Sequence, residues 1–235
     1  MKRMLFHIFK RLGKFALWYL IITVGLVVVL RFVPVYVTPY MLRCSLQSLI
    51  EGRSPKWKHT WMPIEEIAPA LGVAVIASED NRFVKHHGFE FESIRKVYAA
   101  HRKHGKRLRG GSTISQQTAK NIFTFGTRTW VRKGFETWFT VLIELFWSKE
   151  RIMEVYLNSI EMGRGVFGAE AAAQTYFGIP AARLSREQAA LTAAVLPNPK
   201  RFKINHPSAY ILRRQTQILR LMPKMGRIDF LSHKQ

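Results

Sequence analysis

Residues 130–147 read WVRKGFETWFTVLIELFW, and this run decides the fold class of the chain. It is long enough for several helical turns, and apolar side chains occupy nearly every side of the helix. A helix that is apolar all round is buried in a protein core or in a membrane. We therefore predict a buried central helix here.

The segments on either side of this run also have helical patterns. Ser112 is a plausible N-cap for one of them, and Ser185 with Gln188 forms a capping box at another. We find no convincing alternating strand. The predicted helices cover residues 68–80, 90–100, 113–123, 149–162 and a stretch that Ser185 opens. The fold class is mainly α, with at most a small β element.

The N-terminal region contains one apolar run that is long enough to cross a membrane. Residues 15–33 read FALWYLIITVGLVVVLRFV, and Arg31 near the end can extend toward the headgroups. A cleaved signal peptide is the alternative, but no small-residue cleavage site follows the run. The preceding basic residues place the N-terminus in the cytoplasm.

This placement divides the chain into five parts. We expect a cytoplasmic tail (1–14), a transmembrane helix (15–33), a membrane-associated segment (34–62), a catalytic domain (63–225) and a C-terminal tail (226–235).

The charge of the chain points to an anionic partner. Its 37 Lys and Arg against 15 Asp and Glu give a formal net charge of +22. Such a field attracts nucleic acid, an anionic membrane or a phosphate-bearing substrate. Because most of the chain is expected outside the cytoplasm, we exclude nucleic acid. Cys44 is the only cysteine, so no intramolecular disulfide can form.

Glu79 and Asp80 end an apolar helix. Carboxylates there lie at the negative end of the helix dipole, which opposes ionisation. A destabilised carboxylate is suited to act as a general base. The alternative is a pair of solvated acids at a helix end.

A second candidate site lies at residues 110–121, which read GGSTISQQTAKN. On a helix, Gln116, Gln117, Lys120 and Asn121 form one polar face that can bind sugar hydroxyls and phosphate oxygens. The paired glycines allow a ligand to approach the backbone. An ordinary exposed helix face is the alternative.

Glu136 lies within the apolar run 130–147, with Arg132 and Lys133 one turn before it. A buried carboxylate needs a partner, which Arg132 supplies. A structural ion pair and a catalytic role both stay open. Two histidine pairs, His86 with His87 and His101 with His104, lack a third ligand at zinc spacing, so we predict no zinc site there.

Taken in order, these motifs resemble glycosyltransferase family 51, in its monofunctional biosynthetic branch. Residues 79–88 (EDNRFVKHHG), 110–121 and 132–136 (RKGFE) are similar to three of its motifs. Residues 149–158 (KERIMEVYLN) with the glycines that follow, and 184–199, are similar to two more. Glu90 departs from the family, which usually carries Asp there.

The resemblance implies a lysozyme-like helical domain that polymerises lipid II into β-1,4-linked glycan, with inversion at C1 of MurNAc and release of undecaprenyl pyrophosphate. Glu79 is then the base that deprotonates the acceptor 4-hydroxyl, and Lys120, Arg128 and Arg132 neutralise the pyrophosphate. Glu136, as the second catalytic residue, orients these cations or holds a divalent cation, Mg or Mn.

The implied substrate-binding residues are Asp80, Phe83, His86, Gly110, Ser112, Thr113, Gln116, Gln117, Lys120, Asn121, Arg128 and Arg132. The implied partners are lipid II, the growing glycan strand and membrane lipids, with room for proteins of cell-wall synthesis or division. The implied location is the bacterial inner membrane, with the catalytic domain in the periplasm.

Two other functions stay open at this point. A lytic transglycosylase would share the fold and cleave glycan, but it has no use for a cationic cluster beside a membrane anchor. A non-enzymatic polyanion-binding module would explain the charge and the anchor, but not Gln116, Gln117 or Glu136.

Overall fold

A computed structural model describes residues 2–90, 92, 95, 111–127 and 129–232. Most of the predicted helix 90–100 and all of the basic stretch 101–109 therefore lie outside the described residues. The helices in this part of the chain are α1 (Lys2–Leu30), α2 (Pro39–Ile50), α3 (Pro69–Glu79), α4 (Ile114–Phe123), α5 (Trp130–Phe146), α6 (Lys149–Ser159), α7 (Ala169–Phe177), α8 (Arg186–Val195) and α9 (Ala209–Leu221). Short 3-10 helices lie at Ile64–Glu66, Ala181–Arg183, Met222–Met225 and Asp229–Leu231. The prediction of a mainly α fold is confirmed.

The N-terminal helix α1 is long and apolar enough to cross a membrane. Its candidate span is Lys10–Leu30, with a mean hydropathy of 2.1. The predicted segment began and ended a few residues later, at 15–33. The helix ends at Leu30 because the chain turns there and Pro34 follows shortly, which removes a backbone donor.

Helix α1 packs against α5 rather than standing apart from the domain. Val27 is fully buried, and its carbonyl accepts a 2.8 Å hydrogen bond from the indole of Trp147. Trp138 donates to Thr23 Oγ1 at 3.3 Å. Near the end of α1, Arg151 donates to the carbonyl of Leu30. The last turns of α1 are thus part of the domain's packing.

The prediction that α5 is buried all round was wrong. One face packs inward and includes Phe139, Leu142 and Ile143. The other face is apolar but open, and Trp130 at its start is 92 % exposed. The exposed residues on this face are Trp130, Val131, Phe135, Val141 and Leu145. Apolar periodicity alone does not distinguish protein from lipid as the covering medium.

The core lies between α3, α8 and α9 on one side and α4, α5 and α6 on the other. Helix α3 begins with Pro69, which is accommodated at the first helical position. Helix α8 begins at the capping box of Ser185 and Gln188, as predicted. It then presents small side chains to α3, which allows close approach of the two backbones. These side chains are Ala189, Ala190, Ala193 and Ala194.

A three-stranded sheet in the order β1-β3-β2 combines one strand that precedes α3 with two that follow α6. Its strands are β1 (Lys58–His59), β2 (Glu161–Gly163) and β3 (Val166–Phe167), with β1 parallel and β2 antiparallel to β3. Helix α6 was predicted to run to residue 162 but ends at Ser159. Gly168 has a φ of +84°, and a Cβ there would lie 2.6 Å from the Asn158 carbonyl. This close approach lets the chain return beside the end of α6.

Helix α2 is amphipathic and follows the end of α1. Thr38 caps it and Pro39 opens it. Met41 and Cys44 are buried against Phe167. The opposite face is open and apolar, with Leu42, Leu46, Leu49 and Ile50 exposed.

Candidate active site

Glu79 lies at the last turn of α3 with its carboxylate held from three sides. Oε2 accepts a 3.2 Å hydrogen bond from Nε2 of Gln117 on α4. Oε1 lies 3.3 Å from Nη2 of Arg214 on α9 and accepts from Ser78 Oγ at 3.2 Å. The side chain keeps 13 % of its surface exposed. It is therefore fixed in direction and still reachable by a ligand.

Tyr156 orients the amide that contacts Glu79. Its hydroxyl donates to Oε1 of Gln117 at 3.3 Å, and this leaves the Gln117 NH₂ group to donate to Glu79. Burial, and then the charges of Glu79 and Asp80, raise the pKa of Tyr156 well above 10.0. The phenol therefore stays protonated and remains a donor.

Asp80 joins the end of α3 to the start of α4. Its Oδ2 accepts a 3.0 Å hydrogen bond from the backbone N–H of Ile114, and both oxygens lie 2.9 Å from Nε2 of His86. The N–H of Gly88 donates to Nδ1 of His86, so the neutral ring carries its proton on Nε2 and donates to Asp80. Thr113 Oγ1 donates to the Gly88 carbonyl at 2.6 Å. Asp80 and His86 are thus inside this connection, not on the surface.

Phe83 packs inside the same connection between α3 and α4. It is fully buried, and its ring centroid lies 6.4 Å from that of His86. The ammonium of Lys149 lies 4.6 Å from the Phe83 ring centroid. Lys149 also donates to Glu144 at 2.8 Å. The turn after α3 is therefore held by apolar and charged contacts together.

The predicted polar face of α4 is divided between two sides of the helix. Thr113, not Ser112, is the N-cap, and Gln116 is buried because its side chain completes the capping box. Asn121 is also buried, and its Nδ2 has no partner among the described residues. The sequence predicted one continuous polar face, but the structure buries two of its four members, Gln116 and Asn121. Gln117 and Lys120 stay partly exposed.

Glu136 is buried on α5 and pairs with two cations from the preceding turn. Arg132 and Lys133 each donate to one of its oxygens. Glu136 is 3 % exposed, whereas Lys133 keeps 38 % of its side chain in solvent. The predicted pairing with Arg132 is confirmed. Lys133, which our site prediction omitted, is part of the same group.

Lys120 links this group electrostatically to Glu79. Burial lowers the pKa of Lys120 below 10.5, and the charge of Glu136 partly offsets that effect. Arg132 and Lys133 lower it further, while Glu79 raises it. Lys120 thus lies within electrostatic reach of Arg132, Glu136 and Glu79. Gly110 and Arg128 lie outside the described residues, and Ser112 is exposed.

These residues do not fit a metal ion held by protein ligands. Among the described residues, no group of three or more His, Cys, Asp or Glu lies together as such a site requires. Both oxygens of Glu136 already accept hydrogen bonds from cations.

Arg214 is a further site residue that sequence reasoning missed. Helix α9 turns Ile211 and Ile218 inward, and Arg214 lies on the same side, three residues after the first. Its guanidinium contacts Ser78 Oγ at 2.9 Å as well as Glu79. A charged residue on the apolar, inward side of a helix is the sequence signal that could have revealed Arg214.

Comparison with known proteins identifies the family of this chain. The transglycosylase family model matches residues 47–223. A biosynthetic peptidoglycan transglycosylase of Bacteroides thetaiotaomicron is 61 % identical over 200 residues, which cover 85 % of this chain and 80 % of the relative. Proteins of the same name from Pseudomonas fluorescens and Pseudomonas aeruginosa are each 46 % identical, over 97 % of this chain and 95 % and 98 % of their own lengths. This chain therefore belongs to the transglycosylase family, glycosyltransferase family 51.

Proposed function

We propose that this chain polymerises lipid II into peptidoglycan glycan strands, with Glu79 as its general base. Membership of the family makes the chain a peptidoglycan glycosyltransferase and removes the lytic alternative. The single observation that supports the assignment of the base is the fixed carboxylate of Glu79 beside a group of cations. A pyrophosphate leaving group needs charge neutralisation more than a proton, and this site offers both a base and cations.

The reaction is a single displacement at C1 of the donor MurNAc. The acceptor GlcNAc 4-hydroxyl gives its proton to Glu79 as its oxygen forms the new bond to C1. The bond from C1 to the pyrophosphate oxygen breaks, and its electron pair leaves with undecaprenyl pyrophosphate. Attack from the face opposite the leaving group converts the α-linkage to β-1,4. Gln117 and Arg214 hold the carboxylate in direction during this transfer.

The cations on α4 and α5 stabilise the leaving group. Lys120 and Arg132 supply positive charge where the pyrophosphate develops its negative charge. Glu136 holds Arg132 and Lys133 in place, since three cations close together would otherwise repel. In this proposal Glu136 acts through the cations.

Four residues in the connection between α3 and α4 support the site: Asp80, Phe83, His86 and Thr113. They fasten the start of α4 to the end of α3, and this sets the distance between Gln117 and Glu79. We propose that these residues, with Gln116 in the cap of α4, act by positioning rather than by direct contact with substrate. Ser112 and Gly111 are exposed before α4 and are free to meet a ligand.

Three apolar surfaces support a membrane position for this chain. The span Lys10–Leu30, the open face of α5 and the open face of α2 all have exposed apolar side chains. Each surface is suited to lipid, and α1 packs on α5 so that two of them are adjacent. We propose that α1 crosses the inner membrane with its N-terminus in the cytoplasm, and that α2 lies in the outer interface of that membrane. The site then meets a substrate whose polyprenyl tail stays in the bilayer.

Incubating the full chain with lipid II and sizing the products tests the function. Wild type should yield long glycan strands that a muramidase digests. Glu79→Gln should fold normally and lose about 10²–10⁴-fold in turnover, because an amide cannot accept the hydroxyl proton. Glu65→Gln, which changes an exposed glutamate in the same way, is the matched control. If Glu79→Gln keeps a tenth or more of the wild-type turnover, Glu79 is not the base.

A further inference from the structure

A cavity of about 210 Å³ lies beneath α2, away from the residues of the candidate active site. It is enclosed by α2, the segment after it and the turn between β2 and β3. Its charged lining residues are Arg53, Lys56, Arg164, Lys200, Glu51 and Glu161. Four cations against two carboxylates leave two positive charges in excess. An anion is therefore the ligand that this cavity favours.

The inner wall of the cavity is built around Glu161. This carboxylate is buried, and it accepts hydrogen bonds from the Tyr40 hydroxyl at 3.0 Å and from the backbone N–H of Gly165 at 3.2 Å. Burial raises the pKa of Glu161, and Lys200 opposes that rise. Because each oxygen of Glu161 already accepts a hydrogen bond, we infer that Glu161 has a structural role in the wall and does not bind the ligand.

Lys200 has hydrogen-bond donors that its contacts in the wall do not use. Its ammonium lies 3.4 Å from Sγ of Cys44 and 3.8 Å from Oε2 of Glu161, beyond direct hydrogen-bond reach of the carboxylate. An ammonium has three donors, so most of its capacity remains for a ligand.

Two more cations at the rim of the cavity, Lys56 and Arg164, can still bind an anion. Arg164 lies 3.9 Å from Glu51, which Arg53 already binds. Lys56 is exposed and has no ion pair with any residue that the structure describes. A ligand at the rim would therefore meet Lys56 and Arg164 without displacing a strong internal pair.

The position of α2 identifies the source of the anion. The cavity side of this helix carries Ser45, Gln47 and Ser48. The opposite side is the open apolar face of α2 described above. Trp57 also lines the cavity, and Tyr40 lies at its inner wall, as aromatic residues do at a membrane interface. If α2 lies in the interface, the cavity is at the level of lipid headgroups.

We propose that this cavity binds the phosphate of an anionic phospholipid headgroup such as that of phosphatidylglycerol. The site goes beyond glycosyl transfer and rests on the membrane position proposed above. Lys56, Arg164 and Lys200 bind the phosphate oxygens. The glycerol hydroxyls donate to the hydroxyl oxygens of Ser45 and Ser48, which themselves donate to the carbonyls of Pro55 and Cys44. A zwitterionic headgroup would bring an ammonium among these cations, so the site discriminates by charge.

Native mass spectrometry of the full chain tests the proposal. The chain is equilibrated in micelles that contain equal amounts of phosphatidylglycerol and phosphatidylcholine, and the lipids retained per chain are counted. Wild type should retain phosphatidylglycerol in preference. Lys56→Gln with Arg164→Gln should lower that retention about tenfold, because two charge-assisted hydrogen bonds are lost. Lys224→Gln with Arg227→Gln removes the same charge outside the cavity and should behave as wild type.

Three outcomes would overturn the proposal. In the first, the cavity double variant keeps the wild-type preference. In the second, inorganic phosphate at the lipid's concentration displaces the bound phosphatidylglycerol, which would assign the site to free anions. In the third, the double variant raises the KM for lipid II in neutral bilayers, so that carboxylates of the substrate peptide occupy the cavity. Failure of wild type to polymerise lipid II would overturn the proposed function instead and leave the lipid count unaffected.

Discussion

Nη2 of Arg214 lies 3.3 Å from Oε1 of Glu79, although 135 positions of sequence separate the two residues. The contact joins the last turn of α3 to the middle of α9. Gln117 holds the other oxygen of the same carboxylate. The direction of Glu79 is therefore set by two helices besides its own.

Replacing Arg214 should reduce turnover without unfolding the domain. We expect Arg214→Gln to lower turnover about 10²-fold, since a misplacement of about 1 Å at a reacting group has an effect of that size. The measurement is lipid II turnover alongside the melting temperature. Arg213→Gln, on the exposed side of the same helix, should keep wild-type activity. Half of wild-type turnover in Arg214→Gln would show that Gln117 alone positions Glu79.

The alkaline limit of activity should come from Lys120. Burial lowers its pKa below 10.5, so it loses its proton at a lower pH than an ordinary lysine. The pyrophosphate then loses a cation, and kcat/KM should fall as pH rises, beginning below pH 10.5. Lys120→Arg should move this fall to higher pH, because a guanidinium stays charged to a pH above about 12.

The control for this titration is Lys203→Arg, which changes an exposed lysine. It should leave the pH profile of kcat/KM unchanged. An identical alkaline limb in wild type and Lys120→Arg would assign the fall to another group.

Sequence reasoning succeeded where the information is local. The helix that begins at Pro69, the capping box at Ser185 and the pairing of Arg132 with Glu136 each depend on residues within four positions of one another. Local chemistry of this kind is readable from sequence because backbone geometry fixes the partners.

It failed locally at the start of α4, where Thr113 rather than Ser112 is the N-cap and engages Gln116, and it failed where the partner lies far along the chain or outside the protein. Arg214 approaches Glu79 only through packing of α9 on α3, which periodicity does not encode. Gln116 and Asn121 have the composition of a binding face, yet both are buried. The open face of α5 is apolar like its buried face, and composition alone does not distinguish a lipid-facing side from a buried one.

Glu136→Gln should damage both turnover and stability, and the ratio of the two effects decides its role. The substitution leaves Arg132 and Lys133 without their shared carboxylate. Breaking a buried pair from one side costs about 3–5 kcal/mol, so the melting temperature should fall. If Glu136 holds the cations for the pyrophosphate, turnover per folded molecule should fall as well.

Arg132→Lys sharpens that test. Lysine keeps the charge but lacks the planar fork that engages phosphate with two hydrogen bonds. Arg132→Lys should therefore turn over lipid II more slowly than wild type. A large fall in melting temperature with normal turnover per folded molecule in Glu136→Gln would make the pair purely structural.

Removing residues 1–33 should expose the surface of α5 that α1 covers. Val27 leaves the core, and the indole of Trp147 loses the carbonyl to which it donates. We expect the truncated chain to be less stable and to require detergent to stay monodisperse.

The truncated chain should still bind anionic vesicles, because the open face of α2 remains. Leu46→Glu in the truncated chain should weaken that binding, whereas Leu212→Glu at an exposed position of α9 should not. A truncated chain that is monodisperse without detergent and ignores vesicles would contradict the proposed membrane position of both α5 and α2.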